Sequence, residues 1–411
     1  MVAFTIVGKL PAVGTTRVGG TSRRERPLGP VWLYAPVVVD ESLGETLPGP
    51  VVVLLAPGRL PEPLPAAVSR ICVPVPFDDL ASAGPHRIVG AATAALAADV
   101  LLVVVGADLG IDPTTAKIWQ IAADAGVPRA VAVTALGDGR ADIEDIAAIA
   151  GRMFGDECVL WRLPVFDDDG ELAGSLDLAR GVLRVDGKDI PSSRAHRRVS
   201  VGARLRLLEA LSGVIDDPDT AQRALSIAAD ASDDDPDSDL PIWGEPDVWD
   251  VSRHGVDAFR SGELAPVLPA TEDWDDVAQL LQPWSAAGGP TVPRFVRRNA
   301  EGEATDGPAA VVLAAEGDWA LVRTVYGPAL PAEGLLTMTR TGVGLPESGD
   351  DGWALAPYRA WPVGVVDRRS ATAGESAAED LSWQRLRLTL RPQVGDVLAL
   401  DYLWLVNEQL A

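Results

Sequence analysis

Apolar and polar positions along the chain follow two regimes. Up to about residue 285, short β-type apolar runs alternate with Ala-rich stretches of helical period. Residues 4–7 and 51–55 read as strands. The near-continuous apolar run at 100–105 has the pattern of a central strand buried on both faces. A helix is predicted over 114–125, a strand over 130–133 and a further helix over 143–154. Strand–helix–strand units of this length imply an α/β domain, a parallel sheet with helices on both faces. Residues 159–229 interrupt the pattern with a small β element at 182–185 and an amphipathic helix at 204–214. The acidic Asp/Ser/Pro stretch at 230–240 reads as a solvated linker. From about residue 306 only strands are predicted, at 309–315, 320–326, 335–341, 386–390 and 397–405. Punctuated by Gly and Pro, they make a small all-β barrel or sandwich.

The composition narrows the function. With 35 basic and 59 acidic residues the net charge is −24, a field that disfavours broad nucleic-acid binding. No apolar run reaches the ~18 residues of a membrane helix, and the first residues lack the pattern of a signal peptide, so a cytoplasmic protein is expected. The two cysteines, Cys72 and Cys158, cannot form a disulfide scaffold or a four-thiolate zinc site, and the three histidines have no metal-ligand spacing. The acidic turn beginning at Asp167 lacks the later ligand of a calcium loop. The densest basic patch, Arg194 to Arg198, reads as solvated surface, a partner contact being the alternative.

A series of short strings, in order, resembles the G domain of elongation factor G and related translational GTPases. They are DVLLVVV beginning at Asp99, GIDPTTAKIW from Gly110 to Trp119, AGVPR at Ala125 and RAD at Arg140. They continue through Leu163-Pro164, GSLDL at Gly174 and Leu183 to AFRSGELAPVL at Ala258. Val325-Tyr326, Leu330 and GDVLA at Gly395 resemble the family's second-domain β-barrel. The resemblance implies a P-loop GTPase-like domain over 1–290 with an insertion at about 159–255, then a translation-factor-like barrel over 291–411.

The nucleotide motifs themselves are eroded. A phosphate-binding loop needs G-x-x-x-x-G-K-[ST], whose lysine neutralises phosphate and whose hydroxyl holds magnesium. Here the string GKLPAVGTT keeps Gly8, Thr15 and Thr16, but Val13 stands for the second glycine and Gly14 for the lysine. Lys9 is displaced, and Pro11 removes an N–H donor. The D-T-P-G motif falls at ASAG ending in Gly84, or at Ala56-Pro57-Gly58, without its aspartate in either register. In the first register Pro85 stands at the family's catalytic-histidine position, and His86 reads as a surface or core residue. The base-reading N-K-x-D falls at Thr134-Ala135-Leu136-Gly137 and retains none of its residues. Charged hydrogen bonds contribute roughly 1.5–3 kcal/mol each. Losing the lysine, the magnesium aspartate and the base-reading pair therefore removes about 6–10 kcal/mol, or about four to seven decades of affinity.

Gly8, Gly14, Thr15, Thr16, Gly84 and Thr134 thus stand as remnants of a nucleotide site. No catalytic residue, bound GTP, magnesium or other metal is expected. The expected function is a non-catalytic pseudo-GTPase acting as an interaction scaffold or regulator with a protein partner. One alternative is a divergent nucleotide hydrolase using Lys9, Asp138 or Glu272. The other is a ribosome-associated regulator of translation.

Overall fold

The computed structural model describes residues 52–55, 85–136, 142–167, 170, 172–215, 219, 222, 226, 251–271, 274–281, 296–298, 307–327, 330–331, 333–344, 354–370, 383–400 and 404–406. The first regime runs β1 (Val52–Leu55), α1 (Pro85–Leu96), β2 (Val100–Gly106), α2 (Pro113–Asp124), β3 (Arg129–Thr134), α3 (Ile143–Met153) and β4 (Cys158–Leu160). A second group follows: β5 (Arg162–Phe166), β6 (Leu172–Asp177), β7 (Val182–Val185), β8 (Lys188–Pro191), α4 (Arg194–Val199), α5 (Val201–Val214) and α6 (Val251–Ser261). The chain then returns through β9 (Ala265–Pro269) and α7 (Asp275–Leu281). The later strands are β10 (Val296–Arg298), β11 (Ala309–Glu316), β12 (Trp319–Tyr326), β13 (Gly334–Gly344), β14 (Ala354–Ser370), β15 (Trp383–Leu388), β16 (Val397–Ala399) and β17 (Trp404–Val406).

The main sheet has the order β1-β2-β3-β9-β4, every pair parallel. Every residue of β2 is buried, as its unbroken apolar run requires. Crossovers between parallel strands are right-handed, so the steps β1 to β2 to β3 put α1 and α2 on one face, where they pack on each other. The return from the edge strand β4 to β9 reverses direction and places α5 and α6, which also pack together, on the other face. The start of α2 is set locally. Asp112 Oδ1 accepts hydrogen bonds from Thr114 N at 2.8 Å and Thr115 N at 3.0 Å, with Pro113 in the first turn. The string GIDPTT is thus a helix-starting device, whatever else it resembles.

At the amino edge of this sheet, Arg129 bonds Glu157 at 2.9 Å and lies over the Trp119 ring, which stacks on Phe154. Cys158 is buried beside them, and burial pushes its thiol well above the ordinary cysteine range. In a Cys72→Ser variant, a thiol reagent should therefore find no reactive cysteine until denaturant unfolds the chain. Rapid modification under native conditions would contradict this placement.

Strands β5 to β8 form a separate antiparallel sheet in sequential order. The sequence predicted only the segment 182–185 of it. Buried charge ties it to the main domain. Arg162 pairs with Asp177 at 3.3 Å and also with Asp276 and Gln279 on α7. Arg204 of α5 donates to the carbonyls of Leu178 and Ala179, and burial lowers its guanidinium to about 10.

Strands β11-β12-β15-β14-β13-β16 close into a barrel. Two expectations need correction. The predicted strand 397–405 divides: β16 pairs with β11 and β13, whereas β17 pairs with β10 outside the barrel. The 17-residue strand β14 was not anticipated, because Pro357 and Pro362 normally argue against a strand interior. Its ladder tolerates them beside register shifts opposite Arg340/Thr341 and at Val365/Asp367.

The barrel packs directly on the α/β unit. Strand β11 is buried on both sides. Ala310 and Val312 enter the barrel core, whereas Ala309, Val311 and Leu313 join the core of the parallel sheet. Arg323 on β12 crosses this boundary, reaching Asp99 Oδ1 at 2.9 Å and the Ala97 carbonyl at 2.9 Å, with all three residues buried. Beside it, Gly90 of α1 meets the turn at Val394-Gly395. That turn is held by Asp396, which takes a two-pronged contact from Arg340 at 2.8 and 2.9 Å and another from Gln393 N at 2.7 Å.

Candidate carboxyl-edge site

In parallel α/β sheets, ligands bind outside the carboxyl ends of the strands, because loops and helix starts converge there. Here that edge comprises the ends of β2, β3 and β9. The ladder runs slightly past each strand. Ala107 N donates to Thr134 O at 2.9 Å, and Ala270 N to Val133 O at 2.7 Å.

Of the six remnants named from sequence, Thr134 alone falls among the described residues; Gly8, Gly14, Thr15, Thr16 and Gly84 lie outside them. Outside them as well are Lys9, Asp138, Glu272 and both registers of the D-T-P-G motif. His86 falls in the first turn of α1. Thr134 ends β3, and its hydroxyl donates to the Val105 carbonyl at 3.4 Å. Ala135 then takes a left-handed backbone, φ +58°, an uncommon state for a residue with a Cβ. The chain turns Leu136 down into the core, where it is 6% exposed. This loop therefore offers sheet-end hydrogen bonding and an apolar anchor. It presents no carboxylate over residues 134–136.

Beyond β9, Trp274 also has a left-handed backbone (φ +55°) and is 1% exposed, anchoring the start of α7. The first two residues of that helix are Asp275 and Asp276. Opposite them lies the turn of the small antiparallel sheet; a Cβ at Gly187 would sit 2.9 Å from Asp275 Oδ2. Between the two surfaces is a cavity of about 270 Å³, whose wall includes Ala173, Arg184, Asp186, Thr271, Asp275 and Asp276. Arg184 is engaged by Asp189 at 3.0 Å, Asp275 at 3.5 Å and Asp276 at 3.7 Å. Burial raises the Asp276 carboxyl above its ordinary range, against the opposing pull of Arg162.

The sequence reading missed this constellation. Its one local signal is the Trp-Asp-Asp run after a buried strand; the facing residues come from about ninety positions earlier. Among the described residues no group of three or more His, Cys, Asp or Glu side chains is arranged to hold a metal ion, and no helix is long and apolar enough to cross a membrane.

No protein-family model matches the chain. Over 71 residues, 17% of its length, the chain is 39% identical to an elongation factor G-like protein of Mycobacterium tuberculosis strain CDC 1551 / Oshkosh. The same identity and extent hold for the elongation factor G-like protein of strain ATCC 25618 / H37Rv. The matched stretch spans about a tenth of the length of these curated relatives. A crystal structure from Thermus thermophilus superposes with a TM-score of 0.44 and 20% identity, over 77% of this chain and 42% of that one. The relationship to elongation factor G-like proteins is thus distant and carried by a short segment of a mixed α/β chain.

Proposed function

We propose that this protein is a degenerate, non-catalytic relative of elongation factor G that serves as a protein-interaction scaffold or regulator. On this reading a GTPase-like domain over 1–290, with its insertion at about 159–255, is joined to a translation-factor-like barrel over 291–411. The observation that carries it is the loop after β3. At the place assigned to base reading, Thr134 bonds the Val105 carbonyl and Leu136 fills the core. The asparagine position of that motif is thus a threonine whose hydroxyl is spent on the sheet, and the aspartate position is Gly137, which has no carboxylate to accept two hydrogen bonds from a guanine. The tight docking of the barrel supports a rigid platform for a cytoplasmic protein partner. Calorimetry of the full chain with GDP and GTP should show no binding at micromolar nucleotide, with or without magnesium. A saturable, magnesium-dependent isotherm would sink the proposal.

The name of the matched relatives motivates a second reading, a regulator that contacts the ribosome through a small local surface on an otherwise acidic molecule. Co-sedimentation with ribosomes that persists at moderate salt would favour it over a ribosome-independent scaffold, since weak electrostatic attachment falls with ionic strength.

A further inference from the structure

The small antiparallel sheet leads into a helix that the core does not use. None of the 6 residues of α4 is buried. A helix this short does not persist on its own, and α4 is held by its ends instead. Ser193 Oγ accepts from His196 N at 3.2 Å, and Ser200 Oγ donates to the Arg197 carbonyl at 3.0 Å. Ser192, itself buried, donates to the Gly181 carbonyl and accepts from Arg197 Nε at 2.9 Å. The side chains of α4 therefore carry no packing duty.

Their charge stands out against the chain. No Asp or Glu occurs from Ile190 to Leu208, although the chain carries 59 of them. Arg204 and Arg206 of that stretch are spent within the fold, on the Leu178 and Ala179 carbonyls and on Glu144. Arg194, Arg197 and Arg198 are left to α4. Arg197 and Arg198 form no ion pair with a described residue, and the acid that precedes them, Asp189, is held by Arg180 at 2.7 Å and Arg184 at 3.0 Å. Cations in a last turn favour the helix C-terminus. That accounts for the two arginines, but not for the missing acids or for Val199, 82% exposed at the end of α4. Ile190, on the edge strand that precedes it, is 44% exposed.

We propose that α4 docks a short acidic segment of a protein partner, with carboxylates on Arg194, Arg197 and Arg198 and an apolar side chain on Val199. A helix of this length spans about 9 Å, close to the screening length of ~8 Å at physiological salt. About three residues of extended peptide fit along it. A nucleic-acid strand fits less well. It would run past the patch into the field of a molecule of net charge −24, and α4 has no aromatic side chain for its bases to stack on. The inference rests on the scaffold reading for the expectation of a protein partner. Its test uses no nucleotide, so either can fail alone.

The probe is a fluorescein-labelled peptide of four aspartates followed by leucine and valine, titrated with the full chain and read by fluorescence anisotropy. Saturable binding that weakens as salt rises is expected. Arg197→Glu with Arg198→Glu should weaken it about tenfold or more, by turning attraction into repulsion. Val199→Ser, which leaves every charge in place, should weaken it about threefold. The same reversal on the barrel, Arg385→Glu with Arg387→Glu, should leave it unchanged. Each variant is first checked for unchanged circular dichroism and thermal midpoint, and Val199→Ser keeps the test open if the double variant of α4 does not fold. The proposal is overturned if the peptide shows no saturable binding, if the folded variants of α4 bind it as the parent does, or if the barrel reversal weakens it equally. Tighter binding of a six-nucleotide oligothymidylate would overturn it in favour of nucleic acid. Binding that appears only once residues 230–240 are replaced by Gly and Ser would assign the surface to the chain's own acidic stretch, in the same or a second copy, and overturn it as well.

Discussion

Replacing Arg323 with alanine should lower the unfolding free energy by about 3–5 kcal/mol, one of the two largest effects expected in this molecule. The reason is burial on both sides of the contact. Arg323 is 2% exposed and Asp99 is 5% exposed, so removing the guanidinium leaves a carboxylate without its ion-pair partner between two packed units. The Ala97 carbonyl loses a donor in the same step. A paired replacement, Asp99→Leu with Arg323→Met, removes both charges and should recover most of the loss, since apolar substitutes for buried ion pairs are often neutral. Equilibrium urea unfolding of the parent, the single variants and the double variant checks this. A loss below about 1 kcal/mol for Arg323→Ala is the range of exposed ion pairs. It would mean that the barrel does not dock through this contact.

The contact of Gly90 with Gly395 offers a comparably large effect at Gly395 and a sharper test at Gly90→Ala, because two local arguments disagree on the sign of the latter. Gly90 lies inside α1, where alanine is favoured over glycine by about 0.8–1 kcal/mol in helix propensity. At the same place an added Cβ would lie 2.5 Å from the Val394 carbonyl oxygen, too close for any real contact. Overpacking of a well-fitted interior costs about 1–3 kcal/mol, so a net loss of up to about 2 kcal/mol is expected. The facing residue makes the case stronger. Gly395 has φ +82°, and its Cβ would lie 2.4 Å from Gly90 Cα. Gly395→Ala should therefore lose about 2–5 kcal/mol, the sum of the left-handed backbone penalty and the clash. Thermal and urea unfolding would report both. A Gly90→Ala protein more stable than its parent would show that propensity wins and that α1 and the barrel turn stand apart.

Much of the architecture is legible in local pattern. The run Val100 to Val105 announces a strand covered on both faces, and Asp112-Pro113 announces the helix after it, because burial periodicity and capping act over a few residues. The alternation at Ala309–Glu316 is less transparent. Its apolar letters announce a strand, but they do not say that one face belongs to the barrel and the other to a different core. Strand β14 was hidden by its prolines, and the single run at 397–405 conceals a change of partner sheet after Ala399. In each case the missing information is which surface lies opposite, a quantity that no short window contains.

The site divides in the same way. Where the resemblance sets the base-reading aspartate, the letter is Gly137, and identity alone decides whether a side chain can accept two hydrogen bonds. The bond from Thr134 to Val105, the buried Arg162–Asp276 pair and the cavity between residues 172–187 and 271–276 belong to the folded chain alone. Sequence by itself determined the acidic charge and the central strands and helices of the parallel sheet, because these depend on residue type and near neighbours. Tertiary structure decided the union of the two domains and the existence of the acidic cavity. Both arise where distant segments remove each other's charges from water, and that free energy depends on geometry in space rather than order along the chain.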